Sequence, residues 1–318
     1  MALRKGALIV VTAMVVGIAL AGCGGKSSPP PSFVAAWDAG SQRVGKINRP
    51  EGLAIGKDGA LLVADTWNNR VLVASGEGAV AGAFGEFGNK RGKLQCPRSV
   101  TVDKAGSIYV VDTWNHRVQK FSSRGQFLLS LGGKGSPWGY DEADGKFLYP
   151  YGVAVDSQGY IYVSDFNNNR VEKFDPRGKF VKKWGTEGRQ DGQFSHPAGL
   201  AIDSQDRLYV ADPGNGRIQA FDTDGNFNGK FVGVDGEFDR PYGVAVDSKG
   251  DVYVAEMGAC KVHKYTPSGR LIWSLEKRGG ADGELEMPLS VAVDGGGNIY
   301  VADWGNNRIQ KFAPPAGG

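Results

Sequence analysis

Three histidines, His116, His196 and His263, are the whole imidazole inventory of this 318-residue chain. A catalytic zinc takes about three protein ligands that converge and leave one position open. These three share no motif: His116 stands in a polar run of turn-forming residues, His196 directly precedes Pro197, and His263 lies within an alternating stretch that predicts a strand. Each is read as structural or solvated, so no metal is expected. No G-x-S-x-G, Walker loop, dinucleotide fingerprint or C-x-x-C-H occurs, which argues against those enzyme classes and leaves no cofactor implied. The cysteines are Cys23, Cys96 and Cys260. What does recur is an acidic residue with an aromatic or apolar one just after it, at Trp67, Trp114, Phe166, Met257 and Trp304. Aromatic rings among scattered polar groups suit recognition of a partner or glycan.

The elements that must carry these residues are written as a repeat. Pro150 to Phe174 is the clearest copy, and related lines begin at Pro50, Pro97, Pro197, Pro241 and Pro288, with starts 47, 53, 47, 44 and 47 residues apart. Such a period is that of propeller blades. Within one copy, Gly152–Asp156 alternates and ends in a turn, Tyr160–Ser164 is aromatic and β-branched, Arg170–Phe174 follows a run of short polar residues, and Lys179–Trp184 follows Asp175-Pro-Arg-Gly178. The unit is a four-stranded antiparallel meander. Its first strands are apolar on both faces, Val153 and Val155 on one and Ala154 on the other, so neighbouring copies must cover them.

The recurrent D-x-x-N-x-R-[VI]-x-K-F line, preceded by P-x-G-[LV]-A-[VI]-D and [IL]-Y-V, resembles the NHL repeat. The resemblance covers roughly residues 33 to 313 and implies an all-β fold, a six-bladed β-propeller of four-stranded antiparallel blades. It is specific for fold and not for function. Peptide-amidating lyases that resemble NHL proteins place zinc-binding histidine just after the blade-starting proline; here those slots hold Glu51, Arg98, Tyr151, Ala198, Tyr242 and Leu289. Lactonase-like propellers hold calcium on carboxylates and amides around the channel, where only Glu51 is available, too few oxygens for a hard cation.

Phe33–Trp37 resembles a fourth strand with no three before it, whereas Pro288–Phe312 supplies three strands and stops. The two ends are expected to pair, closing the ring. Cys96 and Cys260 then fall in blades two and five, opposite one another, so no disulfide is expected. In blade five, Glu256 replaces the usual Asp, Cys260 stands in the Asn slot and Lys261 replaces the arginine found as Arg70, Arg117, Arg170, Arg217 and Arg308. The recurring Asp and Arg are read as scaffold that brackets the turn between the second and third strands.

At the N-terminus, Arg4-Lys5 precedes an apolar run from Gly6 to Ala21, and Leu20-Ala21-Gly22-Cys23 resembles a bacterial lipobox. The expected organisation is a lipoprotein signal peptide over 1–22, lipidated Cys23 and a Gly/Ser/Pro tether to 32, a propeller over 33–313 and a tail over 314–318. The chain would be anchored through lipid on the extracytoplasmic side of the envelope, at the outer membrane if the cell has two. The formal charge of +3 falls to 3 − 2 = +1 once Arg4 and Lys5 are removed, so no nucleic-acid partner is expected.

Turns such as Asp165–Asn169 open at the same end as the variable blade-to-blade connections. That face carries Trp67, Trp114, Phe166 and Trp304, with Arg98, Tyr151 and Tyr242 among the residues ringing the channel. The reading is of a binding or scaffold module for a protein, peptide or glycan of the envelope. The alternative is a propeller enzyme of the lyase or lactonase kind, acting in the central channel.

Overall fold

The computed structural model describes residues 28–38, 40, 45–135, 143–234 and 236–315. Cys23, the lipobox and the Pro137–Tyr140 stretch lie outside the described residues. Six four-stranded antiparallel sheets are arranged as blades, each with its first strand innermost. Blade three, for example, runs through Val153–Val155, Ile161–Asp165, Arg170–Phe174 and Phe180–Trp184. The strands expected from sequence for this blade are observed to within about a residue at each end.

Packing between blades follows from the two-faced inner strands. Val153 and Val155 pack against blade two with Tyr109, Val111 and Leu131, while Ala154 faces blade four with Leu208, Val210 and Phe221. The sixth blade takes Pro288–Val293, Ile299–Asp303 and Arg308–Ala313 from the C-terminal end and Ser32–Trp37 from the N-terminal end. The junction is antiparallel, with Ser32 beside Ala313 and Trp37 beside Ile309, so the ring closes as the sequence implies.

Each connection into a blade also plants one apolar side chain three residues before the proline. These are Ile47, Leu94, Phe147, Phe194, Phe238 and Leu285, all buried. Removing water from them anchors the loop face to the ring, at roughly 1.5–3 kcal/mol for each large side chain.

Candidate functional site

The glycine in P-x-G sets the mouth of the channel. Inner strands crowd where the blades converge, and a Cβ on Gly52 would lie 2.7 Å from the Arg98 carbonyl oxygen; one on Gly243 would lie 2.7 Å from that of Leu289. Only glycine allows this approach. In blades one, three, four and five its neighbour on the proline side is thereby held in place, and in blades two and six Ser99 and Ser290 stand in the glycine slot; Glu51, Arg98, Tyr151, Tyr242 and Leu289 line one cavity of about 350 Å³. Ala198, in the equivalent slot, is buried and does not reach it.

The residue before each proline is held in an unusual conformation. Arg49, Cys96, Tyr149, His196, Arg240 and Met287 all have φ between 49° and 61°, a region that costs a non-glycine residue about 1 kcal/mol or more. The preceding blade compensates in five cases. Asn69 Oδ1 accepts from Cys96 N at 2.9 Å, Asn169 Oδ1 from His196 N at 2.7 Å and Asn307 Oδ1 from Arg49 N at 2.9 Å. His116 Nδ1 does the same for Tyr149 N at 3.1 Å, and Cys260 Sγ for Met287 N at 3.4 Å. His116 and Cys260 are therefore caps of the same joint that asparagine serves elsewhere. Burial, with Lys134 nearby, holds the His116 imidazole below its usual pKa, which suits the neutral acceptor.

Beneath this rim, the acidic residue ending each second strand is a hub. Asp212 accepts from Ser195 N at 2.7 Å, Asn215 Nδ2 at 2.9 Å, Arg217 Nε at 2.9 Å and Gln219 Nε2 at 3.3 Å. Asp65, Asp112, Asp165 and Asp303 make the corresponding bond to their arginine at 2.6–2.9 Å. In blade five Glu256 accepts from Asp239 N and pairs with His263 Nε2 at 2.8 Å, and His263 Nδ1 lies 2.7 Å from Ser274 Oγ.

The candidate site lies above these hubs. Glu51 is 7% exposed and its carboxylate sits 3.5 Å from Arg98 Nε. Burial raises the Glu51 pKa, with Arg98 working against it. Burial opposes the charge on Arg98 most strongly, but Glu51 together with Tyr151, Tyr242 and Cys96 outweighs it and the arginine pKa rises. Tyr151 lies near Glu51, yet its buried hydroxyl completes no hydrogen bond of good geometry, and neither does Arg98 Nε. Burial, followed by the Glu51 charge, pushes the Tyr151 phenol well above its ordinary range.

Around this trio the rings of Tyr151, Phe166 and Tyr242 form a cluster. Phe166 is stacked on Tyr151 at 5.7 Å and on Tyr242 at 6.4 Å, and the two tyrosines are 5.4 Å apart. A cleft of about 420 Å³, sharing Arg98 with the channel, is lined by Trp114, Tyr149, Phe166 and Asn167. Of the residues expected here from sequence, Arg98, Tyr151, Tyr242, Phe166 and Trp114 come together. Trp67 is also on this face and 59% exposed, but outside the cleft. Trp304 is not available: the Arg49 guanidinium covers its ring at 3.9 Å. Tyr149 and Asn167 join Trp114 and Phe166 in the cleft, Tyr149 as the residue before Pro150 and Asn167 from the Asp165–Asn169 turn, positions whose neighbourhood only the fold defines.

Among the described residues no three His, Cys, Asp or Glu side chains converge as a metal site. Cys96 and Cys260 are free thiols.

Comparison with known proteins bears on fold. The NHL repeat model matches residues 48–74, 94–121, 147–174 and 285–312, and the SMP-30/Gluconolactonase/LRE-like region model matches 185–279. E3 ubiquitin-protein ligase TRIM71 of Xenopus tropicalis is 49% identical over 55 residues, 17% of this chain and 6% of that protein. Protein brain tumor of Drosophila melanogaster is 43% identical over 47 residues, 15% and 4% respectively. The chain thus spans a small fraction of the length of these relatives. A gluconolactonase from Xanthomonas campestris superposes with a TM-score of 0.64 at 17% identity, over 90% of this chain and 96% of that one. Virginiamycin B lyase from Staphylococcus aureus gives 0.59 at 17% identity, over 84% and 85%. At such identities the likeness is one of architecture. The chain is a six-bladed β-propeller built with NHL repeats.

Proposed function

We propose that this propeller is a binding module of the cell envelope, held by lipid at Cys23, that takes its ligand at the cleft and channel mouth of the loop face. The observation that carries the reading is the juxtaposition of an exposed aromatic cleft (Trp114 52% and Tyr149 41% exposed) with the buried Glu51–Arg98–Tyr151 trio. Large rings that a fold leaves uncovered beside desolvated polar groups are the usual make-up of a recognition hot spot.

The path of the chain is consistent with anchoring. Ser32 enters the last blade beside Ala313, at the end away from the cleft, and Ser28 N donates to Ile272 O at 2.8 Å. Cys23 precedes Ser28 by five residues, about 17 Å of extended chain. A lipid there would hold the face opposite the cleft to the bilayer and turn the cleft outward.

The test is capture from solubilised envelope with the full chain, comparing wild type with Trp114→Ala/Phe166→Ala after melting curves confirm folding. A partner kept by wild type and lost by the folded variant is expected; equal capture by both would overturn the reading. Anchoring is tested separately by palmitate labelling, which Cys23→Ser should abolish.

A second reading, an enzyme of the lyase or lactonase kind, draws on Glu51, whose burial suits proton transfer. It predicts turnover that Glu51→Gln removes while ligand binding survives.

A further inference from the structure

The channel mouth contains polar groups that the fold itself leaves unfinished. Tyr151 is 4% exposed and its hydroxyl has Glu51 beside it without completing a hydrogen bond of good geometry; Arg98 Nε is buried without a hydrogen bond, and its contact with Glu51 is 3.5 Å, longer than a charge-assisted bond. Buried polar atoms without partners are rare, and each calls for a ligand, ion or water that completes it. The three residues line a cavity of about 350 Å³.

The three groups restrict what can complete them. Glu51 when ionised only accepts, Arg98 only donates, and the Tyr151 hydroxyl does either. Their charges cancel, so the mouth favours neither sign: an anionic ligand brought to Arg98 meets the Glu51 carboxylate, and a cation brought to Glu51 meets the guanidinium. A neutral ligand with a donor and an acceptor on the same or adjacent atoms satisfies all three. Hydroxyl groups have this property, and vicinal hydroxyls on a ring present it twice. Arg98 also borders the cleft of Trp114, Tyr149, Phe166 and Asn167, which provides flat apolar faces for the C–H side of such a ring and an amide at its edge.

We infer that the channel mouth binds a neutral saccharide, with ring hydroxyls on Glu51, Arg98 and Tyr151 and the next unit on Trp114. This rests on the reading of the loop face as a binding surface. The same residues argue for binding without hydrolysis. Glycoside hydrolysis ordinarily takes two carboxyl groups flanking the bond, and among the described residues lining the mouth and the cleft Glu51 is the only carboxylate.

The experiment presents the full chain, in detergent, to parallel arrays of neutral oligosaccharides, acidic oligosaccharides and peptides, with hits titrated by tryptophan fluorescence. Neutral saccharides should bind and alter Trp114 emission. Tyr151→Phe should weaken them about tenfold, and Trp114→Ala should do so roughly tenfold. Lys57→Ala, on the opposite face, should leave affinity unchanged. Tyr151→Phe removes only a hydroxyl and Trp114 is exposed, so folding is not at stake. Binding of acidic saccharides alone, or of neutral ones with affinity untouched in both variants, overturns the inference. Peptides bound through Trp114 with no saccharide bound overturn the ligand class and leave the binding module standing. No binding on any array overturns both.

Discussion

Glu172 occupies in blade three the position that Gln119, Gln219 and Gln310 hold in blades two, four and six. Each glutamine both accepts, from Gly92, Gly192 or Gly283 N at 2.9 Å, and donates to the hub aspartate at 2.9–3.3 Å. Glu172 accepts from Gly145 N at 3.0 Å and pairs with Arg170, but as an anion it has nothing to give Asp165. Burial, against the pull of Arg170 and with the repulsion of Asp165, pushes its pKa up to about 8, from 4.5 for the free group. Since the folded-state value is raised, the native protein keeps a proton that the unfolded chain has released. Its contribution is complete below the unfolded value near 4.5 and is lost as pH rises through about 8. Glu172→Gln should therefore raise the melting temperature, little at pH 5 and by about 2–4 °C at pH 8.5 for a gain of roughly 1 kcal/mol. Melting curves across that range decide it; a difference that does not grow with pH would count against the assignment.

At the scale of the element, the turn between second and third strands shows how one blade departs as a set. Glu256 is one methylene longer than the hub aspartate, so it reaches His263 in the glutamine position, while Lys261 turns instead to Glu276 at 3.8 Å. Glu256→Asp alone should destabilise, because it draws the carboxylate away from His263 and leaves a buried group unpaired. Glu256→Asp/Lys261→Arg/His263→Gln, which rebuilds the aspartate, arginine and glutamine of the hub of blades two, four and six while Ala259 still stands where Asn215 donates, should recover that loss and add about 0.5–2 kcal/mol. Urea unfolding of both variants, with Lys261→Arg and His263→Gln alone, tests this coupling, and simple additivity of the three changes would refute it. The same elements show what was legible in the sequence. Strand alternation and turn chemistry are local, so blade count, hub and turn could be read directly. The contact of Arg49 with Trp304, 255 residues along the chain, and the partnership of Glu256 with His263 across two strands depend on folded geometry, so a Trp in a loop slot could not be sorted into packed or available. The anchors Ile47 to Leu285 stand in the sequence as an apolar residue three before each proline, but nothing local distinguishes a buried anchor from an exposed loop residue.

The whole molecule depends on one seam. Five blades are continuous in sequence and would hold their own edges; the sixth is completed only when Ser32–Trp37 adds to Arg308–Ala313. Phe33 meets Phe312 edge-on at 6.0 Å and packs with the blade five core, and Trp37 meets Tyr300 at 6.4 Å and packs with blade one. The strand therefore joins the core on both sides of the seam and covers an edge that would otherwise be open to another chain. A chain beginning at Ile47 should lose this closure, melt well below the full protein and associate through the exposed strand. Because that truncation also removes the tether, Phe33→Ala/Trp37→Ala isolates the seam. Truncating large core side chains costs about 3–5 kcal/mol each when fully buried, and these two are only partly buried, so a joint loss of about 3–6 kcal/mol is expected. The melting temperature and sedimentation of both proteins test it. If the double variant melted with wild type, the seam would be decoration on a ring already closed by its other blade contacts; if it fell while remaining monomeric, closure would be carried by these rings and not by covering the edge.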